Sequence, residues 1–252
     1  LHYSPYKVAE TIGMLATLHP GRVELGIGRA PGSDGITAAA LAYGSPIGVD
    51  YFPAKVADLV AFLHGEAPVT EAFGPVRLTP RPEPAPDLWV LGSSTSSATL
   101  AARFGLPFCF AHFIAPHDAL AAVDHYRSHF RPSDRVPAPR VALGVFALCS
   151  EDPEHCDALA RCRDLWRLRL EAGGDPGPCP SVEEARAHRF SAHERARIEG
   201  RREHQILGDP PTVRRRIEAL ADATGAEAVQ IVSITHDRSE EHTSELQSHA
   251  PI

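Results

Sequence analysis

The chain has 252 residues, 43% of them hydrophobic, and a formal net charge of −7 at pH 7. Such a length and composition are typical of a globular protein with one large domain or two small ones. The acidic balance argues against a nucleic-acid partner, because binding along a phosphate backbone needs clustered basic residues. No run approaches the ~18 apolar residues of a membrane span, so no membrane partner is predicted either.

The cysteines show no pairing motif. Their number is odd, no C-x-x-C pair occurs, and no secretory signal is visible. We interpret them as reduced thiols of a cytoplasmic protein, with a disulfide or a zinc site as the alternative. They are Cys109, Cys149, Cys156, Cys162 and Cys179.

The first predicted elements are a helix, a strand and a glycine-rich loop. Ser4 followed by Pro5 is typical of a helix start, and apolar residues then recur at helical spacing. Residues 23–28 predict a short buried strand, and the loop after it contains Arg29. The G-x-G-x-x-x-G spacing there does not match a dinucleotide fingerprint. Weaker helices are predicted over residues 36–43 and 53–63.

Strands and helices then alternate. We interpret the proline-rich residues 74–86 as a stiff connector rather than a polyproline ligand, because an apolar strand follows directly. That strand, residues 87–92, runs into the turn SSTSS, which opens a helix closed by Gly105. The next predicted elements are a strand over 106–114, a helix over 117–130, a strand over 140–150 and a helix over 153–171.

Three helix starts and one strand complete the pattern. The last strand is predicted over residues 226–235, and five strands alternating with helices predict an α/β fold with a parallel sheet. Strands without polar alternation fit a sheet that is buried on both faces. The helix starts are Ser181 with Glu184, Ser191 with Glu194, and Asp209 with Pro210.

Serine residues mark a candidate anion site. Ser93, Ser94 and Ser97 lie at a predicted helix N-terminus directly after a strand, where free N–H groups and the helix dipole favour an anion. Capping alone needs one serine, so we interpret this turn as a phosphate site. Arg29, after the preceding strand, is either a further phosphate contact or a surface salt-bridge residue.

Two histidines and two arginine-rich stretches complete the candidates. His112 and His236 lie at predicted carboxyl ends of strands, and because they share one rim each is either part of a shared catalytic site or a structural hydrogen-bond partner. No third ligand has suitable spacing, so no metal site is predicted. Glutamates interleave with the arginines at 201–202 and 214–216, which favours a solvated helix face over a nucleic-acid patch.

Three blocks of the sequence resemble the luciferase-like flavin-dependent monooxygenases, most closely their single-chain oxidoreductases. In chain order they are HYSPYKVAETIGMLATLHPGRVELGIGRAPGSDG, WVLGSSTSSATLAARFGLPFCFAHF and LGDPPTVRRRIEALADATGAEAVQIVSITHD. The resemblance implies a (β/α)8 TIM barrel that uses reduced FMN and O₂ to oxygenate a small organic substrate. It also implies a flavin reductase as partner and allows a homodimer of the full-length form.

The resemblance assigns the candidate residues. Matched one by one, the family's flavin-phosphate contacts fall on Arg29, Ser94 and Ser97, with the backbone of Ser93 beside them. The two histidines named above correspond to barrel-mouth positions that face flavin or substrate. Residues 173–205, where a barrel can carry an insertion, are predicted to form a lid over the mouth. The alternatives are an F420-dependent hydride-transfer oxidoreductase on the same fold and a non-catalytic flavin-binding protein.

The strand count departs from the family's pattern. A full barrel has eight strands, so with five we expect the first three βα units to be missing, roughly 90 residues at ~30 per unit. The family's active-site histidine region would lie there, which leaves open whether this chain is active. We expect residues 1–237 to form a partial barrel whose strands at 23–28 and 226–235 have exposed edges.

The last fifteen residues, 238–252, do not resemble the family. They read RSEEHTSELQSHAPI and back-translate in frame to a DNA sequence that resembles a short-read sequencing adapter. We therefore interpret this tail as non-native rather than as a regulatory or protein-binding segment.

Overall fold

The chain divides into two compact units. The computed structural model describes residues 3–30, 35–43, 50–173 and 176–236. Unit 1 comprises residues 1–110 and 121–140, and unit 2 comprises residues 111–120 and 141–252. The tail interpreted as non-native, residues 238–252, and part of the glycine-rich loop, residues 31–34, lie outside the described residues.

Parallel strands form the centre of unit 1. They are β1 (Glu24–Gly28), β2 (Asp87–Gly92) and β3 (Phe108–Ala111). β2 lies between the other two, with Gly28 beside Leu91 and Val90 beside Phe108. The described helices are α1 (Pro5–Leu18), α2 (Gly35–Ala42), α3 (Phe52–His64), α4 (Thr95–Phe104) and α5 (Ala119–His129).

Aromatic side chains pack α5 against β3. Phe108 is fully buried, and its ring centroid lies 5.4 Å from that of Tyr126 on α5. The Tyr126 hydroxyl donates to the carbonyl of Leu106 at 3.0 Å and accepts from the N–H of Arg140 at 3.2 Å. A buried hydroxyl with both partners avoids an unpaired polar group, so these contacts fix α5 against Leu106 and Arg140.

The helix ends of unit 1 follow the predicted caps. The Ser4 hydroxyl accepts from the N–H of Lys7 at 3.2 Å, and Pro5 occupies the first turn of α1. α4 begins after Ser94 and ends at Gly105, whose φ of +61° is left-handed. Glycine adopts that conformation without steric cost, which is why it ends the helix here.

Unit 2 is organised around β4 (Val141–Cys149), which is buried along its whole length. The first part of β4 pairs in parallel with β6 (Ala228–Val232), and its last three residues pair in parallel with β5 (Ile206–Gly208). The described helices are α6 (Pro153–Ala172), α7 (Val182–Ala187), α8 (Ala192–Arg202) and α9 (Pro210–Thr224). The sequence pattern does not predict β5, because three residues carry too little periodicity.

Helices α7 and α8 pack against α6. Cys162, Leu165 and Leu168 of α6 form a buried cluster with Ala185 and Ile198. The Arg161 guanidinium on α6 also donates to the carbonyl of Ala185 at 2.7 Å. The segment predicted to be a lid therefore has its own apolar core against α6, and its role as a lid stays a prediction.

The two strands predicted to be edge strands each have one strand partner, and so does the short β5. In the described part of the chain, β1 pairs only with β2, and β6 pairs only with β4. Each has one side without a strand partner, as the sequence analysis expects for these two segments.

The cysteines are all free thiols. None of the described helices has both the length and the apolar character that crossing a membrane requires.

Candidate functional site

A cleft of about 300 Å³ lies in unit 1 beside the first turns of α4. We call it the Arg29 cleft. Among the polar side chains that line it are Arg29, Asp50, Ser96, Ser97, Thr99 and Arg103. Val90 and Leu91 of β2 contribute apolar surface to the same cleft. The cleft thus combines cationic and hydroxyl groups with an apolar wall.

Strand register brings the cleft's parts together. Arg29 directly follows β1, and the serine turn directly follows β2. Gly28 and Leu91 are partners in the parallel pairing, so the carboxyl ends of both strands lie at the same edge. The structure therefore places Arg29 and Ser97 on one cleft, whereas Ser93 and Ser94 occupy the turn that leads into it.

The serine turn is not explained by helix capping. Ser94 is the N-cap residue with an extended backbone (φ −150°, ψ 160°), and its side chain makes no capping hydrogen bond. At α1 and α6, by contrast, Ser4 and Asp152 do accept such bonds. An N-terminal turn without a side-chain cap retains N–H groups that an anion can accept from.

Gly92 allows α4 to approach β2 closely. A Cβ atom added at Gly92 would lie 2.2 Å from both the Cβ and the Oγ of Ser97. No side chain fits between the two residues, so glycine at the end of β2 is what lets Ser97 sit against the strand. The position of a proposed phosphate contact thus depends on a residue without a side chain.

Helical periodicity accounts for the residues that the sequence analysis missed. Ser96, Thr99 and Arg103 are spaced by three and four positions on α4, so they share one face of the helix. The Thr99 hydroxyl donates to the carbonyl of Thr95 at 2.8 Å and contacts Nε2 of His125 at 2.8 Å. Extending the serine turn by two helical turns would have identified Arg103 as a second cation.

A second cleft, of about 230 Å³, lies in unit 2, and residues 112–114, which follow β3 in sequence, are among those that line it. We call it the His112 cleft. His112 is 8% exposed, and its Nδ1 atom has no hydrogen-bond partner among the described residues. Burial, with further contributions from His204, Arg216 and His117, lowers the pKa of His112 below its ordinary value. The neutral form of the His112 imidazole is therefore favoured over the charged form.

His236 occupies a different environment. It is exposed, and its Nδ1 contacts the carbonyl oxygen of Cys179 at 2.9 Å. His236 does not line the His112 cleft; the histidines beside His112 there are His117 and His204, whose rings pack edge to face with centroids 4.2 Å apart. A catalytic role for His236 together with His112 stays a prediction.

The paired arginines differ from the expected solvated face. Arg202 is half-buried, and its Nε donates to the buried carboxylate of Asp164 at 2.7 Å. Arg201 binds Glu171 at 2.5 Å from its Nη1 atom. Their partners lie on α6, which the local sequence around residue 201 does not reveal.

Within the described ranges no group of three or more metal-ligating side chains occurs.

The family assignment follows from a comparison with known proteins. A family profile described as luciferase-like monooxygenase matches residues 1–227. The chain therefore belongs to the luciferase-like monooxygenase family. This confirms the expected family and the expected fold class, a parallel α/β fold of the luciferase-like (β/α)8 barrel type.

Individual relatives support the assignment. The chain is 38% identical over 235 residues to the uncharacterized protein YwcH of Bacillus subtilis (strain 168), covering 93% of this chain and 71% of the relative. It is 32% identical over 230 residues to a luciferase-like monooxygenase of Escherichia coli (strain K12), covering 91% and 67%. The crystal structure of apo-MsnO8 matches with a TM-score of 0.78 at 33% identity, covering 96% of this chain and 71% of that one.

More distant solved structures share the fold alone. An FMN complex of the oxygenating constituent of 3,6-diketocamphane monooxygenase from Pseudomonas putida matches with a TM-score of 0.56 at 17% identity. An F420-dependent secondary alcohol dehydrogenase matches with a TM-score of 0.59 at 16% identity. Each alignment covers 96% of this chain and 72% of the other. The fold therefore accommodates both kinds of cofactor.

Proposed function

We propose that this chain belongs to a flavin-dependent monooxygenase and that its Arg29 cleft binds the phosphate of reduced FMN. The observation that carries the proposal is the convergence of Arg29, Arg103 and Ser97 on one cleft beside the uncapped start of α4. Membership of the luciferase-like monooxygenase family supports the reaction class. Because the chain spans about 70% of its relatives' length, the activity is proposed for the whole protein.

The donor set fits a phosphate monoester. Such a group carries about −1.5 to −2 charge at pH 7 and offers three acceptor oxygens. Arg29 and Arg103 supply guanidinium groups, Ser97 supplies a hydroxyl, and the only carboxylate among the described lining residues is Asp50. Ser93 and Ser94 would present backbone N–H groups at the helix start, where the dipole also favours an anion.

The protein's own groups would bind and orient the cofactor. When bound, reduced flavin supplies the electrons that activate O₂ for oxygenation of a small organic substrate. A separate flavin reductase would deliver the reduced cofactor. We retain His112 as the proposed catalytic residue near the substrate, since its neutral imidazole can accept or donate a proton, and His236 as a second candidate.

Titration with FMN and riboflavin tests the phosphate assignment. Arg29→Gln should weaken FMN binding by about 10- to 150-fold, because it removes a charged hydrogen bond of about 1.5–3 kcal/mol. Riboflavin lacks the phosphate, so its binding should not change. Ser97→Ala should weaken FMN binding less. Arg22→Gln is the matched control, because Arg22 precedes the strand that Arg29 follows. Unchanged FMN affinity in Arg29→Gln would contradict the assignment.

An F420-dependent oxidoreductase is the second candidate, supported by the shared fold of F420-dependent enzymes. The phosphate of F420 is a diester with a single negative charge, whereas the monoester of FMN gains its second charge near pH 6. FMN affinity that rises between pH 5.5 and 7.5, and exceeds F420 affinity, supports the first candidate. FMN binding without oxygen consumption by the full-length protein would favour a non-catalytic flavin-binding protein.

A further inference from the structure

The His112 cleft holds an unusual number of unpaired buried polar atoms. Three of its side chains are more than nine-tenths buried: His112 and Arg163 are each 8% exposed, and Gln205 is 5% exposed. No described residue pairs with His112 Nδ1, Arg163 Nε or Gln205 Oε1, nor with Nε and Nη2 of Arg201. More than 90% of buried polar groups in native proteins have partners, so this concentration in one cleft indicates a ligand.

The charge of the cleft is positive. Three guanidinium groups line it, those of Arg163, Arg167 and Arg201, and no Asp or Glu is among its described lining residues. Glu171 pairs with Arg167 at 3.6 Å and with Arg201 at 2.5 Å, and it also pairs with Arg197, so three arginines share one carboxylate. Burial, and then the charge of Arg167, lowers the pKa of Arg163 to about 10, so Arg163 still carries its charge at pH 7.

One wall of the cleft is apolar. The Arg163 guanidinium carbon lies 3.6 Å from the ring centroid of Phe146, which holds this cation in place. Phe113, Ile114 and Pro116 add further apolar surface. A ligand that satisfies all of these groups has an anionic end for the guanidinium groups, an apolar body, and an O–H or N–H donor for the oxygen of Gln205.

We propose that the His112 cleft binds a small organic carboxylate that carries a hydroxyl or amide N–H next to its carboxyl group. A carboxylate accepts from Arg163 and Arg201 through two coplanar oxygens, the geometry that guanidinium groups match best. The adjacent donor pairs with Gln205 Oε1, and the apolar body lies against Phe113 and Phe146. As a substrate site this cleft rests on the proposed function, which places His112 near the substrate, whereas binding of the carboxylate itself requires no cofactor.

Binding of mandelate to the purified, flavin-free chain tests the proposal. Mandelate has the carboxylate, the adjacent hydroxyl and an aromatic body; phenylacetate lacks the hydroxyl, and mandelamide lacks the charge. By isothermal titration calorimetry at pH 7 we expect mandelate to bind at least 10-fold more tightly than either analogue. Equal affinity for mandelate and mandelamide, no binding of mandelate at millimolar concentration, or binding of inorganic phosphate alone would overturn the proposal.

Substitutions locate the site. Arg201→Gln should weaken mandelate binding at least 10-fold, whereas Arg197→Gln should not change it, because both arginines pair with Glu171 but only Arg201 lines the cleft. Gln205→Leu should reduce mandelate affinity to that of phenylacetate while leaving phenylacetate unchanged. Thermal unfolding verifies that each variant is folded. Equal losses in Arg201→Gln and Arg197→Gln would place the site elsewhere. Because no flavin is present, failure here leaves the FMN proposal intact.

Discussion

Gly92→Ala tests whether the close approach of α4 to β2 shapes the Arg29 cleft. The added Cβ would lie 2.2 Å from the Cβ of Ser97, whereas carbon atoms in contact prefer about 3.5–4.0 Å. The Cβ of Ser97 is fixed to the helix backbone, so side-chain rotation cannot relieve the overlap. The first turn of α4 must therefore move away from the strand by about 1.3 Å or more to restore contact distance.

The cost of this movement can be isolated with a second substitution. Overpacking of this kind costs about 1–3 kcal/mol. Ser97→Gly removes both clashing atoms, and the next atom, Ser97 Cα, would lie 3.7 Å from the new Cβ. Ser97→Gly alone costs up to about 1 kcal/mol because glycine is a poor helix former. The double variant should then be more stable than the sum of the single changes by about 1–3 kcal/mol.

Thermal unfolding and FMN titration measure the two consequences. A chain of this size loses roughly 2–4 °C in Tm per kcal/mol, and Gly92→Ala should also weaken FMN binding because Ser97 moves. Gly28→Ala is the control: it changes the paired strand at the same edge, but its Cβ would meet its nearest atom, the Leu91 carbonyl oxygen, at 3.6 Å. A Gly92→Ala variant as stable as this control, or strict additivity in the double variant, would refute the reasoning.

Two further predictions concern unit 2. Arg202→Met should lower the free energy of unfolding, measured in urea, by about 3–5 kcal/mol, because it leaves the buried Asp164 carboxylate without the guanidinium 2.7 Å away. A cost no larger than that of Arg197→Gln, which removes an exposed ion pair, would contradict this prediction. Burial raises the pKa of the Cys162 thiol to about 11, so only about one molecule in a thousand is ionised at pH 8. Burial also raises the pKa of Cys179, but this thiol is partly exposed whereas Cys162 is fully buried. Iodoacetamide should therefore modify Cys179 first, as mass spectrometry of peptides would show, and equal labelling of the two would contradict it.

Strands of the parallel sheet could be predicted because burial on both faces leaves a continuous apolar run. β2 matches its prediction at both ends, and β4 lies within one residue of it. β3 is shorter than predicted, since Phe113 and Ile114 are as apolar as the strand but follow His112 out of it to line the His112 cleft. Apolar character alone therefore does not locate the point at which a strand ends and a cleft begins.

Helix starts could be predicted where the capping partners are neighbours in sequence. Ser191 and Glu194 form the full capping box of α8. At α7, Ser181 accepts from the N–H of Glu184 at 3.1 Å, but the Glu184 carboxylate pairs with Arg169 of α6 at 2.6 Å. The second half of a capping box thus depends on which cation a distant helix presents, and the sequence around α7 does not contain that information.

The two clefts also differ in whether the sequence alone predicts which residues meet there. Arg29 and the serine turn follow neighbouring strands, and parallel pairing brings strand ends together, so the sequence order alone predicts that they meet. The polar groups of the His112 cleft come from the end of β3, from α6 and from the end of α8, and no local pattern links them.

The cationic side chains of the two clefts also differ in their exposure to solvent. Arg29 and Arg103 are exposed, so salt screens their attraction for a phosphate and water stabilises both cations in the absence of a ligand. Arg163 is buried against Phe146, where screening is weak and an unpaired nitrogen is costly. Exposed cations such as Arg29 and Arg103 need no ligand to be stable. The buried Arg163, by contrast, gains a partner for its unpaired nitrogen only when an anion binds. For that reason the unpaired atoms of the His112 cleft are stronger evidence of a ligand than its arginine content.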